Sequence, residues 1–397
     1  MRKALEDITV LDLTRVLAGP YCGMLLADLG ADVIKIEEPT KGDTSRENFP
    51  QVNGQSGYFM ACNRNKRGIT LNLKSEKGKQ IFKELVKKAD VVLENFRPGV
   101  MDRLGLGYEV LREINPGIIY ASISGFGQYG PYRERAGYDI VGQAMSGVMS
   151  CTGWPDTPPT RCGAPIGDTE AGMNCAIGIL AALHNREFTG FGQTVDVSLV
   201  DSMVSSMITI NMRYLNGNLL PSRAGNRYEN SYPYDSFKTK DGYVVFAATY
   251  NNQWARLCNL MGHPEYIEDP RMADLDARIK NHKIIKEIIE EWTTTMNSDD
   301  LVQIMHEGGN VVSTILTLDQ VVEDPHIAGA RQMFVEMDHP VAGKVKVTND
   351  AIKLSDTPTS VRFASPLLGE HTEQVLHDML GYTQKDFDLL REEKVIR

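Results

Sequence analysis

The feature that most constrains this chain is an alternation of two periods in its first 125 residues. Residues 8–13 (ITVLDL), 31–37 (ADVIKIE), 90–95 (DVVLEN) and 118–124 (IIYASIS) are short apolar runs, the pattern of strands buried on both faces. Helical patterns lie between them. Residues 19–30 end on a glycine stop, residues 77–89 set Ile81, Phe82, Leu85 and Val86 on one face, and residues 108–114 read as a short helix. Strands alternating with helices at this spacing predict an α/β fold with a parallel, doubly wound sheet. A long helix of small apolar residues then runs from Asp168 to about Arg186, followed by a strand over 193–199 and a Met-rich helix over 200–215.

The character changes after that. Residues 216–232 are rich in Asn, Gly, Arg and Ser and read as a linker. A hairpin is expected over 234–239 and 243–249, with helices near 251–261, 275–296, 298–307 and 317–323. Strand-like alternation returns at 344–354, and helices are expected over 369–380 and 384–393. The expected organisation is a large domain over 1–215, the linker, a small α+β domain over 233–325, and a return to the large domain over 326–397. Its 397 residues suit two such domains.

Charge and cysteine usage narrow the partners. The net charge of −10 (42 basic, 52 acidic) argues against nucleic acid and membrane surfaces as partners, while leaving room for a local basic pocket. Six cysteines lie far apart without a CxxC pair, and no histidines take metal-ligand spacing. Reduced thiols, no metal and a cytoplasmic location are expected. No run of ~18 apolar residues predicts a membrane span.

The first strand–helix turn reads LTRVLAGPYCG, neither GxGxxG nor GxxxxGKT, so it carries no nicotinamide, flavin or P-loop signature. Basic residues instead gather beside the strands: NRNKR at 63–67, then Arg97 in NFRPG, then Arg103. They read either as solvated surface charge or as a rim for an anionic ligand, since a guanidinium fork matches phosphate. Asp168, in GAPIGDTEAGMN, reads as a helix N-cap and also as a carboxylate presented on a rigid mount. Gly163, Ala164 and Gly167 leave space beside it, and a helix N-terminus favours its anion. An ionised, fixed, accessible carboxylate is what covalent catalysis on an acyl group requires. Tyr138 and Asp139 form a second polar pair in a small-residue segment.

Taken together these motifs resemble the type III CoA-transferases, the family of formyl-CoA transferase and the carnitine and bile-acid CoA-transferases. The matching stretches include LDLTRVLAGPYCGMLLADLGADVIKIEEP, NKRGITLNLKSEKGK, ENFRPGVMDRLGLGYE, GYDIVGQAMSG, IGDTEAGMNCAIGILAAL and PLLGEHTEQVL, spread over residues 8 to about 380. The resemblance implies Asp168 as nucleophile. It implies coenzyme A contacts at Val16, Leu17 and Ala18, at Leu71 through Lys74, at Asn95, Phe96 and Arg97, and at Arg103 and Tyr138. It implies a Rossmann-like large domain, a small domain, and ring-shaped subunits interlinked as a homodimer. Coenzyme A is then a substrate, with no tightly bound cofactor. Glu38 stands where formyl-CoA transferase has arginine and Ala136 where it has lysine, and the glycine-rich active-site loop of that enzyme has no counterpart over 216–250. These departures speak against formate or oxalate as substrate, and SGFGQYG with the overall length resembles the carnitine and bile-acid branch more closely.

The reaction so implied is transfer of CoA from an acyl-CoA to a free carboxylic acid through an aspartyl anhydride and an aspartyl-CoA thioester. Backbone N–H groups near 125–130 or 163–167 are the expected oxyanion donors. The competing reading, 2-methylacyl-CoA racemisation, needs a base where the chain has Tyr138, whose ordinary pKa of about 10 suits it poorly. A non-catalytic CoA-binding protein is a third reading, disfavoured by Asp168 and its glycine surround.

Overall fold

The computed structural model describes residues 2–397. Its centre is a mixed α/β layer structure built on six parallel strands: β1 (Thr9–Asp12), β2 (Asp32–Glu37), β3 (Lys66–Thr70), β4 (Val91–Glu94), β5 (Ile119–Ser124) and β6 (Thr194–Ser198). Their order across the sheet is β3-β2-β1-β4-β5-β6. The order reverses direction between β1 and β4, so the crevice beyond their carboxyl ends is where such a sheet binds ligands.

Successive strand residues serve opposite faces, which explains the apolar runs. Val10, Val33, Val91 and Leu93 pack with the helices Ala18–Asp28 and Ile166–Thr189. Leu11, Ile34, Val92 and Tyr120 pack on the other face with the helices Glu76–Val86, Thr372–Leu380 and Gln384–Glu392. The small-residue character of Ile166–Thr189 has a steric cause: a Cβ on Gly172 would stand 2.7 Å from the Ala18 carbonyl oxygen. Glycine there lets this helix lie against the start of Ala18–Asp28.

The chain divides into two compact units. The first holds residues 1–148, 162–215 and 325–397; the second holds 149–161 and 216–324. Residues 216–232 group with the second unit, as does the short 149–161 segment. In the second unit β7 (Tyr234–Lys238), β8 (Tyr243–Ala247) and β9 (Val311–Thr314) form an antiparallel sheet in the order β9-β8-β7. Phe237 and Phe246 stack across it at 4.0 Å, over a core with Trp254, Leu257, Ile285 and Leu301. In the first unit β10 (Phe334–His339) pairs antiparallel with β11 (Gly343–Thr348).

Three local expectations differ. The helix expected over 200–215 is two helices, Leu199–Ser206 and Ile208–Gly217, parted at Met207. The stretch 275–296 is likewise split at Asn281, which ends Leu275–Lys280 and precedes His282–Thr293. The basic stretch NRNKR is not a ligand rim. Arg64 pairs with Asp28 at 2.6 Å and Lys66 with Asp12 at 2.8 Å, all four buried, and Arg67 pairs with Asp32. Charges buried this way are bound to their partners.

Candidate active site

A cavity of about 220 Å³ opens at the carboxyl ends of β1, β4 and β5. Its lining brings together Val16, Leu17, Ala18, Asn95, Phe96, Arg97, Tyr138 and Asp168, eight of the residues picked out in the sequence. Leu71 and Lys74 lie instead on a larger cavity of about 920 Å³, with Glu38, Lys41, Lys394 and Arg397. The two cavities share Arg15 and Phe96 in their walls. Arg103 ends the short Val100–Arg103 turn and lines neither.

Asp168 is half-buried on the rim of the smaller cavity. It does not cap its helix, contrary to the first reading. The helix begins at Ile166 with Pro165 at the cap position and no side-chain cap bond, so Asp168 sits inside the first turn. Nor does the helix end keep its carboxyl acidic: burial, and then the charge of Asp139, push it up to about 6. At neutral pH the group is still largely ionised, but it is a more basic, poorly solvated carboxylate.

Asp139 and Gln143, one turn apart on the helix Asp139–Met145, hold the segment that carries Asp168. One Asp139 oxygen accepts from the Gly167 N–H at 2.9 Å, and the other from the Gln143 amide at 2.7 Å. The Gln143 carbonyl in turn accepts from the Cys162 N–H at 2.8 Å. The Gly167 N–H is therefore taken, as are those of Gly127 (by Ser124) and Gln128 (by Asp196). Three of the expected oxyanion donors in these two segments are thus committed elsewhere. On the cavity wall the N–H groups of Leu17 and Ala18, at the start of Ala18–Asp28, have no hydrogen-bond partner among the described residues, and neither has that of the adjoining Gly19.

The remaining wall is basic and aromatic. The Asn95 side chain is spent on the backbone: it donates to the Arg15 carbonyl and accepts from the Arg15 N–H, each at 2.8 Å. The Arg15 guanidinium lies 5.2 Å from the Phe96 ring centre. Arg97 is exposed, and Tyr138 is 70% exposed at the head of Asp139–Met145. Below them Glu94 is buried, and burial raises its carboxyl to about 7.

Several residues here escaped the sequence reading. Arg135 lines the cavity with its guanidinium 3.7 Å from the Tyr132 ring, so a positive charge stands one position before Ala136. Tyr58, on the helix Gly57–Asn63, has its phenol raised by burial and then by the fields of Cys62, Asp168, Asp43 and Asp139. Gln143 is a fully buried amide in a small-residue helix, a signal the sequence did carry. Among the described residues no cluster of His, Cys, Asp and Glu suits a metal ion. No helix among them is long and apolar enough to cross a membrane.

A half-buried carboxylate and a basic wall meet at the switch point of a parallel sheet, the place where such sheets bind ligands. The chain belongs to the CoA-transferase family III, whose model matches residues 5–372. It is 40% identical to the succinyl-CoA–D-citramalate CoA-transferase of Chloroflexus aurantiacus over 99% of this chain and 98% of that one. It is 42% identical to the succinyl-CoA:mesaconate CoA-transferase of Haloarcula marismortui, covering 94% and 96%. A crystal structure of a CAIB/BAIF family protein from Brucella suis superposes with a TM-score of 0.85 at 38% identity, covering 96% of this chain and all of that one. The protein is a CoA-transferase.

Proposed function

We propose that this enzyme moves CoA from an acyl-CoA to a free carboxylic acid through covalent intermediates on Asp168. An Asp168 oxygen attacks the donor thioester carbonyl; the C–S bond breaks, CoA leaves as thiolate, and a mixed anhydride forms. The thiolate attacks the Asp168 carbonyl carbon and expels the donor acid, leaving an aspartyl-CoA thioester. The acceptor carboxylate displaces the thiolate to give a new anhydride. Thiolate attack on the acceptor's carbonyl releases the new acyl-CoA and restores the Asp168 carboxylate. The observation that carries this reading is a half-buried carboxylate, raised to about 6, on a cavity rim that also holds the unpartnered N–H groups of Leu17 and Ala18.

The CoA contacts belong to the same proposal. Val16, Leu17, Ala18, Phe96, Arg97 and Tyr138 line the thioester end, with Leu71 and Lys74 further along the larger cavity. Asn95 acts by holding Arg15, and Arg103 from outside both cavities. The names of the relatives favour succinyl-CoA as donor and a small dicarboxylic acid as acceptor. Arg135 and Arg15 offer charge for a second carboxylate. Exposed Met173, Ile177 and Phe188 on the Ile166–Thr189 helix, with Ile208, Met212 and Leu215, favour cover by a second copy, in keeping with an interlinked homodimer of two-domain, ring-shaped subunits in the cytoplasm.

The test is chemical trapping. The protein is incubated with succinyl-CoA, quenched with hydroxylamine, and digested. The peptide holding Asp168 should carry the hydroxamate, and Asp168→Ala should yield neither adduct nor transfer. An unmodified Asp168 in an active enzyme ends this reading.

A further inference from the structure

Val16 is the one β-branched residue among the described residues whose backbone is left-handed, at φ 68°. A branched Cβ makes that conformation a genuine outlier, so something must hold it. Asp43 does: both of its oxygens accept from the Val16 N–H, at 3.2 and 3.3 Å. Asp43 is buried and faces Lys35 on β2 at 3.1 Å, and neither side chain touches solvent. The Lys35 ammonium also donates to the Thr14 carbonyl at 2.8 Å, so the pair grips one loop at two places. Against the burial that would raise it, Lys35 and the Ser45 and Val16 N–H groups hold the Asp43 carboxyl down to about 2.

The rest of the loop is clamped as completely. The Thr14 N–H goes to Asp12 at 2.9 Å, and the Arg15 N–H and carbonyl go to Asn95. From Thr14 through Val16 every backbone N–H is held by a side chain. The next three, on Leu17, Ala18 and Gly19, are held by nothing. A buried ion pair contributes little to stability over an apolar pair of the same shape, but it fixes one conformation. What it fixes here is the entry of an eleven-residue helix into the wall that also holds Asp168.

We propose that the buried Lys35–Asp43 pair is a positioning device for the transfer reaction: it holds Val16 left-handed so that the free N–H groups of Leu17 and Ala18 meet the oxyanion formed when Asp168 attacks the thioester. The proposal rests on the Asp168 reading above. It assigns Lys35 and Asp43 no contact with substrate.

The experiment uses the full-length enzyme with succinyl-CoA and a dicarboxylic acceptor. Lys35→Met with Asp43→Leu removes both charges and the acceptor of the Val16 N–H together, leaves no lone buried ion, and leaves Asp12 its partner Lys66. This double variant should bind CoA with little change in KM and lose about 10²-fold in kcat, the scale of a displaced oxyanion donor. Adding Val16→Gly should return about tenfold or more of that loss, because glycine takes the left-handed conformation unaided. Unchanged kcat in the folded double variant, or no recovery on adding glycine, overturns the proposal. Crystal structures of the same variants read it without catalysis. Val16 should leave the left-handed region in the double variant, and if it stays there with the pair gone the device does not exist. Absence of trapping at Asp168 in the unaltered enzyme would instead sink the covalent mechanism.

Discussion

Two helices bring their N-terminal ends to one cavity, and they are secured by opposite electrostatic means. The Ala18–Asp28 helix starts from a loop whose anchoring carboxylate, Asp43, is neutralised by Lys35. The Ile166–Thr189 helix starts from a segment anchored by Asp139, whose hydrogen-bond partners are a backbone N–H and an amide. The first end is rigid and electrically settled, fit to receive negative charge. The second half-buries Asp168 and adds the charge of Asp139 beside it, which together make that carboxylate harder to form and more basic once formed. The same structural task, fixing a helix entry, is combined with neutralisation where an anion arrives and with repulsion where one must react.

The sharpest way to break this contrast is at Asp168 itself. Asp168→Asn should lower kcat by about 10⁴-fold or more, as loss of a nucleophile does. Because Asp168 makes no cap bond, thermal melts should show no loss of stability; a clear drop would restore the capping role. Next comes its pH dependence. With the carboxyl at about 6, transfer should fall as pH drops through 6, because protonation removes the attacking oxygen. Asp139→Asn keeps an acceptor for the Gly167 N–H but removes the repelling charge, so the acid limb of kcat/KM should move to lower pH. A limb that stays in place would mean the two carboxylates do not sense each other.

Smaller effects test the wall and the neighbouring cavity. Arg97→Ala should raise the KM for acyl-CoA by about tenfold, as loss of one charge-assisted contact does, and the effect should shrink at high salt. Glu38→Gln should do least. The Glu38 carboxylate accepts from the Thr40 hydroxyl and from the N–H groups of Thr40, Lys41 and Gly42, contacts that outweigh its slight desolvation and hold it down to about 2. Its stabilising share is present above the ordinary carboxylate pKa and lost as pH falls through 2. Half-exposed, it should contribute under about 1 kcal/mol, read by denaturant melts at pH 7.

The parallel sheet was legible because strands buried on both faces have no polar alternation to hide, as Val10–Leu11 and Val91–Val92 display. Asp168 stood out as a lone acid among small residues, and the fold sets it on a cavity wall. Its hydrogen bonding was not legible: whether Asp168 or Pro165 begins the helix depends on where the backbone turns, and residue type alone favoured the acid. Three of the expected donors are taken for a related reason. Glycine shows where a chain can approach, but Gly127 and Gly167 give their N–H groups to Ser124 and Asp139, partners distant or unassigned in the sequence reading. Lys35 and Asp43 read as ordinary charges until the fold buries both. Strand β9 was missed because Val311–Thr314 has only four residues and depends on a partner, Tyr243–Ala247, far away in the chain.

Gly172 has a last consequence. Where two helices meet main chain to main chain, their spacing is independent of which side chains line the pocket mouth. On the proposed mechanism, mutational drift at Arg135, Ala136 or Tyr138 would retune which acid is accepted without disturbing the distance between the Asp168 oxygen and the Leu17 and Ala18 N–H groups. Enlarging that one glycine to alanine would reach every substrate alike.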